Sequence, residues 1–401
     1  MIKKLIICST LLIVLLNSCK RNYTSKDYLD VVLDKLNKIE SASYFLTGEN
    51  WNPGDTSASF IFTNFINEYK NPSDTTIGAK YVSLDSLTKS KADFCYDGKM
   101  RALFYNDEKV IVIDSFTARP LPFRPLSPPF YNYVTSIVKY ALTTRDSIST
   151  EIKEQKSNVF VRLTINEDEQ IEFFGKAYHM PPSPYNYGDN TSIYELWIDK
   201  KTDLPYKIRR EMSHNISVSS VSNFKFNELH IKNFIASDYF PKDYEIEQYR
   251  QKTGKRQPNE LIGKKAPDWT LQTDDNQNIS LSDLKSEVLL IQFTSVSCGP
   301  CRASIPFLKE LQNNYKKDDF DFVAIESTCN STNSFSSYKK RNQFNYKFLL
   351  SNKQILKDYS IQSYPVFFIL DKNRIIKEVV NGYGEGTTDD RIKAIINELI
   401  Q

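Results

Sequence analysis

The sequence predicts two domains: an N-terminal α+β domain built on antiparallel strands and a C-terminal α/β domain. Its 401 residues are enough for two ordinary domains, and 40% of them are hydrophobic, so each half can form a core. Strand-like segments follow one another from about residue 44 to about residue 235, whereas helices and strands alternate after residue 261. We therefore place the domains at 25–248 and 261–401, joined by a polar linker at 249–260.

The first residues have the features of an export signal. Two lysines precede an apolar run at 5–16, which is too short to span a bilayer comfortably. The run ends in the letters LNSC, which resemble the lipobox of bacterial lipoproteins. The resemblance implies a signal peptide at 1–18, a lipid on Cys19, a tether at 19–24, and a protein anchored to a membrane of the cell envelope and facing the periplasm. An ordinary signal peptide with a chance cysteine is the alternative.

The charge of the chain excludes one class of partner. The formal net charge is +3, and removal of the two lysines of the signal peptide leaves about +1. A protein that binds nucleic acid carries a concentrated basic surface, which this composition does not supply. We therefore expect no nucleic-acid partner.

The N-terminal domain begins with an amphipathic helix, for which Ser25 is a suitable N-cap. Apolar residues recur on one face of it at helical spacing, namely Leu29, Val32, Leu33, Leu36 and Ile39. Strand-like segments follow, and the Asp97-Gly98 pair between two of them predicts a hairpin turn. The domain is therefore predicted to be a largely antiparallel sheet with a helix packed on it.

Two proline-rich segments interrupt the strands, from Arg119 to Tyr133 and from Tyr178 to Asn190. Proline has no N–H for the ladder of a central strand, so both segments are predicted to be loops. Both are also rich in aromatic residues. We interpret them as surface connections that those aromatic residues anchor, and lids over an apolar ligand cavity are the alternative.

Residues 25–248 resemble the LolA-like fold of lipoprotein carriers. The similarity lies in a helix followed by strands, a YDG hairpin at 96–98, the segment LWIDKKTDLPYKI at 196–208 and the segment FPKDY at 240–244. The resemblance implies an open β half-barrel with helices in its concavity, where some such carriers bind acyl chains. A lipid- or lipoprotein-binding module, with the C-terminal domain as a docking unit, is therefore the alternative function.

No metal or other cofactor is expected. The three histidines, His179, His214 and His230, are dispersed without the spacing of metal ligands. Cys298 and Cys301 would need two further ligands to hold zinc, and the sequence has no second Cys-x-x-Cys motif.

The C-terminal domain alternates strands and helices. Strands are predicted at Trp269–Leu271 and Val288–Thr294, and in the segments DFDFVAIES, PVFFIL and IIKEVV. The run Val288–Thr294 is almost continuously apolar, which is typical of a central strand in a buried sheet. Helices are predicted from the two cysteines onward, at 352–359 and at the C-terminus.

The stretch FTSVSCGPCRASIP, at 293–306, places two cysteines at the predicted junction of a strand and a helix. A helix N-terminus stabilises a thiolate, so Cys298 is the candidate nucleophile. Cys301 lies one helical turn later and can close a disulfide with it, while Gly299 and Pro300 keep the turn tight. A structural disulfide across so short a loop would add little stability. We therefore interpret the pair as a redox dithiol.

The segment from Leu261 to Gln401 resembles the thioredoxin fold, specifically the TlpA-like membrane-tethered thiol–disulfide oxidoreductases. The shared motifs are GKKAPDWTL, SLSDLK, CGPC, the Ser-Tyr-Pro at 363–365 and FFILDKNRII. The resemblance implies that Pro365 is a cis-proline facing the dithiol, that the backbone beside it pairs with an extended substrate segment, and that its ring keeps metal ions off the thiols. It also implies protein disulfides as substrates and a thiol electron donor in the membrane.

Several positions depart from the family pattern. Ser297 stands where a tryptophan is usual, Ser304 where many relatives have a carboxylate, and Gln292 where thioredoxins have a buried acid. Tyr364 is a candidate to replace the missing aromatic surface. Glu326 is a candidate proton relay, and a solvated acid at the end of a strand is the alternative.

Two further cysteines lie outside the pair. Cys329 lies three residues after Glu326, and a mixed disulfide with Cys298 or Cys301 is one hypothesis for it. A lone cysteine is more often an inert small residue, which is the interpretation we prefer. We expect Cys95, which lies in a strand of the other domain, to be inert.

The predicted function is an exported, lipid-anchored thiol–disulfide oxidoreductase that reduces or isomerises protein disulfides. A peroxidase is a third hypothesis, because the APDWTL opening also occurs in peroxiredoxins. Those proteins carry a Thr-x-x-Cys site, whereas this chain has Ser295-Val296-Ser297-Cys298, followed by Cys301. The sequence therefore disfavours a peroxidase.

Overall fold

The computed structural model describes residues 25–52, 55–117, 126–180, 191–212, 215–229, 234–249, 259–273, 275–329 and 332–400. The predicted signal peptide, Cys19 and most of the predicted linker lie outside these residues, as do His214, His230 and parts of both proline-rich segments. Among the described residues, no helix is long and apolar enough to cross a membrane.

The N-terminal region contains the helices α1 (Ser25–Asn37) and α2 (Phe130–Thr143). Its strands are β1 (Ser41–Trp51), β2 (Phe60–Lys70), β3 (Ala79–Asp85), β4 (Ala92–Tyr96), β5 (Arg101–Tyr105), β6 (Val110–Asp114), β7 (Ile148–Glu154), β8 (Asn158–Ile165), β9 (Ile171–Phe173), β10 (Ala177–His179), β11 (Ser192–Asp199), β12 (Leu204–Met212), β13 (Asn215–Phe226) and β14 (Glu245–Gln248). A turn of 3₁₀ helix, Ala236–Tyr239, precedes β14.

These strands form a 12-stranded sheet in the order β14-β6-β5-β4-β3-β2-β1-β13-β12-β11-β8-β7, and β9 pairs separately with β10. The neighbours in the large sheet are antiparallel except for β14 and β6, which run parallel. The prediction of a largely antiparallel sheet is therefore confirmed.

Helices α1 and α2 pack on one face of this sheet and form its main core. The helical residues that are almost fully buried include Leu29, Val32, Leu36, Val134 and Ile137. They meet the side chains of Tyr44, Ile66, Leu163, Tyr194, Leu196 and Ile208 from the strands. Leu33 and Ile39 lie at the edge of this cluster, so the apolar face predicted for α1 is the one that packs.

The turn between β4 and β5 shows why the sequence forms a hairpin there. Gly98 has a φ of 92°, a conformation that favours glycine. The Asp97 carboxylate accepts hydrogen bonds from the backbone N–H groups of Lys99 and Met100, at 2.9 and 3.0 Å. The predicted Asp-Gly turn is therefore confirmed.

Helix α2 was not predicted, and the loop assigned from Arg119 to Tyr133 is wrong from Phe130 onward. The helix begins directly after Pro129 and is supported by a buried side chain from β2. The carboxylate of Glu68 accepts hydrogen bonds from the backbone N–H groups of Tyr131 and Asn132, at 3.2 and 2.7 Å. A carboxylate 62 positions before the helix cannot be recognised as its cap from local sequence signals.

The C-terminal region contains the helices α3 (Gly299–Ala303), α4 (Ile305–Asn314), α5 (Thr332–Asn342), α6 (Lys353–Asp358) and α7 (Thr387–Ile400). Its strands are β15 (Thr270–Gln272), β16 (Asn278–Ser280), β17 (Val288–Thr294), β18 (Phe320–Glu326), β19 (Lys347–Leu350), β20 (Val366–Leu370) and β21 (Ile376–Asn381).

These strands form a seven-stranded sheet in the order β16-β15-β19-β18-β17-β20-β21. Strands β17, β18 and β19 are parallel, and β20 runs antiparallel to β17. Every residue of β17 is buried, because its side chains enter two cores. Leu289 and Ile291 pack with the α6 side, whereas Leu290 packs with α4 and α7. The predicted central strand is confirmed.

The helix predicted from the cysteines onward is divided in two at Ser304. Pro306 in the first turn of α4 has no N–H to donate to the carbonyl of Arg302, so α3 cannot continue into α4 without a break. Helix α5 and strand β19 were not predicted. The sequence of α5, TNSFSSYKKRN, is mostly polar and gives little helical periodicity.

We expect Glu68→Ala to lower the free energy of unfolding by about 3–5 kcal/mol, because it leaves three buried donors without an acceptor. These donors are the two N–H groups of α2 and the Tyr44 hydroxyl, at 2.7 Å. The matched control is Glu40→Ala, which removes an exposed ion pair with Lys70 and should cost less than about 1 kcal/mol. Urea denaturation followed by circular dichroism measures both, and equal costs would contradict the capping role.

Candidate active site

The candidate site lies at one end of three neighbouring strands of the C-terminal sheet, where β17 and β18 finish and β20 begins. Thr294, the last residue of β17, pairs with Glu326, the last residue of β18. On the other side, Phe293 pairs with Val366, the first residue of β20, so Pro365 directly precedes this edge. The loop to Cys298 leaves β17 at the same place. The sheet therefore brings together residues that are far apart in sequence.

Cys298 and Cys301 form a disulfide, with their Cα atoms 5.2 Å apart. Cys298 is the residue before α3, and its Sγ accepts a hydrogen bond from the backbone N–H of Cys301 at 3.2 Å. Cys298 is half-buried, whereas Cys301 is 1% exposed. Gly299 and Pro300 form the first turn between them. An incoming disulfide can therefore reach the first sulfur but not the second.

The Tyr364–Pro365 peptide bond is cis. The Pro365 carbonyl accepts a hydrogen bond from the backbone N–H of Gly382 at 2.8 Å, which ties this turn to the end of β21. Tyr364 is half-buried against the α6-side core, and burial raises the pKa of its hydroxyl. Both residues thus occupy the sheet edge at which the cysteine loop begins.

The two side chains that replace acids of the family pattern contact each other. The Gln292 side chain donates a hydrogen bond from Nε2 to the Ser304 hydroxyl at 3.0 Å. That hydroxyl in turn donates to the backbone carbonyl of Cys301 at 2.7 Å, and both side chains are buried. A neutral amide and a hydroxyl therefore lie behind the dithiol at the two positions where acids were expected, and neither can take up a proton at neutral pH.

Glu326 is 1% exposed, so the alternative of a solvated acid is wrong. Burial raises the pKa of its carboxyl to about 7, although hydrogen bonds from Thr328 partly counteract the shift. Its Oε1 accepts from the backbone N–H and the hydroxyl of Thr328, at 2.8 and 2.9 Å. Its Oε2 is buried and has no hydrogen-bond partner among the described residues. Glu326 is thus poised to exchange a proton near neutral pH.

A chain of hydroxyl groups connects Glu326 with the cysteine loop. The Thr328 hydroxyl is 2.6 Å from that of Ser295, which lies 3.1 Å from that of Ser297, the neighbour of Cys298. Ser297 is exposed, so the chain runs from a buried carboxyl to the surface beside the reactive sulfur. Sequence reasoning missed Ser295 and Thr328. The short SVS run before the first cysteine was the available signal, but nothing indicated that Thr328 would lie against it.

Cys95 takes no part in this arrangement, whereas Cys329 contributes a backbone hydrogen bond to Glu326. Cys95 is buried in the N-terminal sheet, and burial raises the pKa of its thiol strongly. Cys329 is half-buried and packs beside Phe335 in the core on the α4 side. Within the described ranges, no group of three or more histidine, cysteine or acidic side chains is arranged to hold a metal ion.

Comparisons with known proteins place the C-terminal region in a family. A family model described as Redoxin matches residues 261–396. The thioredoxin-like protein YneN of Bacillus subtilis is 31% identical over 119 residues, which cover 29% of this chain and 69% of that protein. The thiol-disulfide oxidoreductase ResA of Geobacillus kaustophilus is 25% identical over 122 residues, which cover 30% of this chain and 70% of that protein.

Solved structures are also similar to part of the chain. The structure of a putative thiol:disulfide interchange protein DsbE from Chlorobium tepidum shares 23% identity, covers 35% of this chain and 98% of its own, and has a TM-score of 0.33. The family match covers the residues that carry the disulfide. Through these residues the chain belongs to the thioredoxin-like proteins of the Redoxin family, and it is a thiol–disulfide oxidoreductase.

Proposed function

We propose that this protein reduces or isomerises disulfide bonds of other proteins through the dithiol Cys298–Cys301. The observation that carries the proposal is the unequal burial of the two sulfurs at the start of α3. An attacking thiol must reach its substrate, whereas a resolving thiol must be kept from competing with it. The names of the ResA relatives, thiol-disulfide oxidoreductases, support the same chemistry.

The reaction begins with both cysteines reduced. The Cys298 thiolate attacks one sulfur of the substrate disulfide, so a mixed disulfide forms and the other substrate sulfur leaves as a thiolate, which takes up a proton. Cys301 then loses its proton and attacks Cys298 Sγ, which releases the second substrate sulfur. Two electrons have passed to the substrate, and the enzyme is left with the disulfide seen in the structure. A thiol donor in the membrane would restore the dithiol by the same exchange.

The side chains around the pair have distinct roles in this proposal. The N–H of Cys301 donates to Cys298 Sγ and favours its thiolate form. Gly299 and Pro300 hold the two sulfurs one turn apart, and Pro365 with Tyr364 forms the adjoining wall at the sheet edge. Glu326 exchanges protons with the cysteine loop through the hydroxyl chain, because the Gln292–Ser304 pair cannot do so.

The setting of the enzyme is part of the proposal. We propose a lipid anchor on Cys19, a periplasmic location in a bacterial cell envelope, and a division into domains at 25–248 and 261–401. The LolA-like half-barrel and acyl-chain binding stay predictions for the first of these domains. Its face beside α2 carries a buried ion pair, Arg210 with Glu172 at 2.7 Å, which favours a partly polar ligand over an acyl chain.

We expect Cys298→Ser to abolish the reduction of insulin by dithiothreitol, and Cys301→Ser to accumulate a mixed disulfide with the substrate, because each removes one of the two exchange steps. Turbidity measures insulin reduction, and non-reducing electrophoresis detects the adduct. Cys329→Ser is the control and should keep wild-type turnover. Unchanged turnover in Cys298→Ser would overturn the proposed function.

We expect the reduction rate of the wild type to fall as the pH drops through about 7, because a protonated Glu326 can no longer accept a proton. Glu326→Gln should lower the rate at pH 8 by about tenfold to a hundredfold and remove this inflection. Rapid-mixing kinetics across a pH series measures both effects. Glu378→Gln, which removes a carboxylate from β21, is the control. Identical pH profiles for wild type and Glu326→Gln would show that the carboxyl takes no part.

We expect Cys19→Ala to move the protein from the membrane fraction to the soluble fraction of the cell envelope, because no thiol is left to carry the lipid. Cell fractionation and immunoblotting measure the distribution. Cys8→Ala, which removes the other cysteine of the N-terminal segment, is the matched control and should leave the protein in the membrane fraction. Membrane retention of Cys19→Ala would rule out the lipid anchor.

A further inference from the structure

A cavity of about 520 Å³ lies between the N-terminal sheet and the loop that carries the reactive cysteine. Ser297 and Gly299, the two neighbours of Cys298, line it on one side. Strands β1, β2, β12 and β13 line it on the other side, next to the start of α2. Its volume is in the range of specific ligand sites. The N-terminal sheet therefore forms one wall of a space that adjoins the cysteine loop.

The sheet wall has an aromatic surface. Phe62 on β2 pairs directly with Gly48 on β1, and its ring lies over the glycine so closely that no Cβ would fit there. The ring is partly exposed and lines the cavity. A glycine under an aromatic ring in a neighbouring strand keeps the surface flat at this point. Gly48 thus lets Phe62 lie along the wall.

Polar side chains line the rest of the sheet wall. Ser217 on β13 pairs in register with Asn50 on one side and with Arg210 on the other. The guanidinium of Arg210 is 2.7 Å from the carboxylate of Glu172, so these two charges of the cavity wall balance each other. The Nε of Arg210 is buried and lacks a hydrogen-bond partner among the described residues, which leaves one donor for a ligand oxygen.

An ion pair holds the wall beside the dithiol. Asp55, in the connection between β1 and β2, lies 3.3 Å from Arg341 of α5. The Asp55 side chain is 1% exposed and the Arg341 side chain 33%, so water partly screens this pair. Helix α5 follows β18, the strand that ends at Glu326. The hairpin of β1 and β2 is therefore attached to the part of the C-terminal region that forms the candidate site.

The small residue before the first cysteine keeps the cavity open. Ser297 is exposed and lines it, so a tryptophan side chain at this position would occupy part of the same space. An apolar surface in this cavity comes instead from Phe62 on the sheet. The substitution that distinguishes this chain from its family pattern and the position of the sheet thus belong to one arrangement.

We propose that this cavity binds the polypeptide segment that carries the substrate disulfide, so that the N-terminal sheet selects protein substrates. The inference rests on the proposed function and adds the surface that selects among its substrates. The segment that fits has an apolar side chain for Phe62 and backbone or side-chain oxygens for Ser217 and Arg210. Because Arg210 and Glu172 balance each other, the cavity favours an uncharged segment over a strongly charged one. The redox step is the exchange already described and needs no further reactant.

The test fills the cavity from the side remote from the sulfurs. Ser217→Phe adds a ring on the cavity face of β13, and Ser220→Phe adds the same ring at a position of the same strand that does not line the cavity. Three quantities are measured on the full mature chain: the midpoint potential of Cys298–Cys301, and kcat/KM for insulin and for hydroxyethyl disulfide. Thermal unfolding checks that both variants keep the fold.

We expect Ser217→Phe to lower kcat/KM for insulin by about tenfold, mainly through KM, and to leave the potential and the reduction of hydroxyethyl disulfide within about twofold of wild type. Ser220→Phe should match wild type in all three quantities.

Equal insulin kinetics in the two variants would overturn the inference. So would an equal loss on both substrates, which would indicate a site for small disulfides. Failure of Cys301→Ser to accumulate a mixed disulfide with insulin would instead refute the proposed function itself, and the inference with it.

Discussion

The candidate site depends on the register of three strands. β18, β17 and β20 are neighbours in the sheet, and their pairing places Glu326, Thr294 and Val366 at a common edge. Because β17 is buried on both faces, a shift of its register would move its side chains between the two cores and is therefore strongly disfavoured. The positions of the cysteine loop and of Pro365 follow from that constraint. The hydrophobic cores thus fix the geometry of a polar site that contributes little to them.

The electrostatics of the site differ from what the family resemblance implies. A buried acid behind the dithiol would titrate with the cysteines, but Gln292 and Ser304 replace it with a neutral hydrogen-bonded pair. The buried carboxyl lies instead on the neighbouring strand, at Glu326, and a chain of hydroxyl groups connects it with the loop. The arrangement keeps a proton acceptor near the loop, on a neighbouring strand and not in the pair behind the dithiol.

The sequence predicted the parts of the fold that local patterns determine. The apolar run of β17, the Asp97-Gly98 hairpin and the apolar face of α1 each need only neighbouring residues for their recognition. Helix α2 was missed because its first turn is capped by Glu68, a residue of a distant strand. The contact between Gln292 and Ser304 was missed for a related reason, since the sequence shows each position only as the loss of an acid. The cavity beside Cys298 depends on how two regions pack, which no local pattern encodes.

Two buried carboxyls show that a shifted pKa does not identify a functional residue by itself. Burial raises the pKa of both Glu68 and Glu326 from 4.5 to about 7. The folded state therefore binds these protons more tightly than the unfolded state, so their contribution to stability is full below about pH 4.5 and is lost as the pH rises to about 7. Their surroundings separate the two roles. Both oxygens of Glu68 accept hydrogen bonds from α2, which fixes it as a structural anchor, whereas one oxygen of Glu326 leads through Thr328 to the cysteine loop. Connection to a reactive group, and not the size of the shift, is what assigns a proton-transfer role to Glu326.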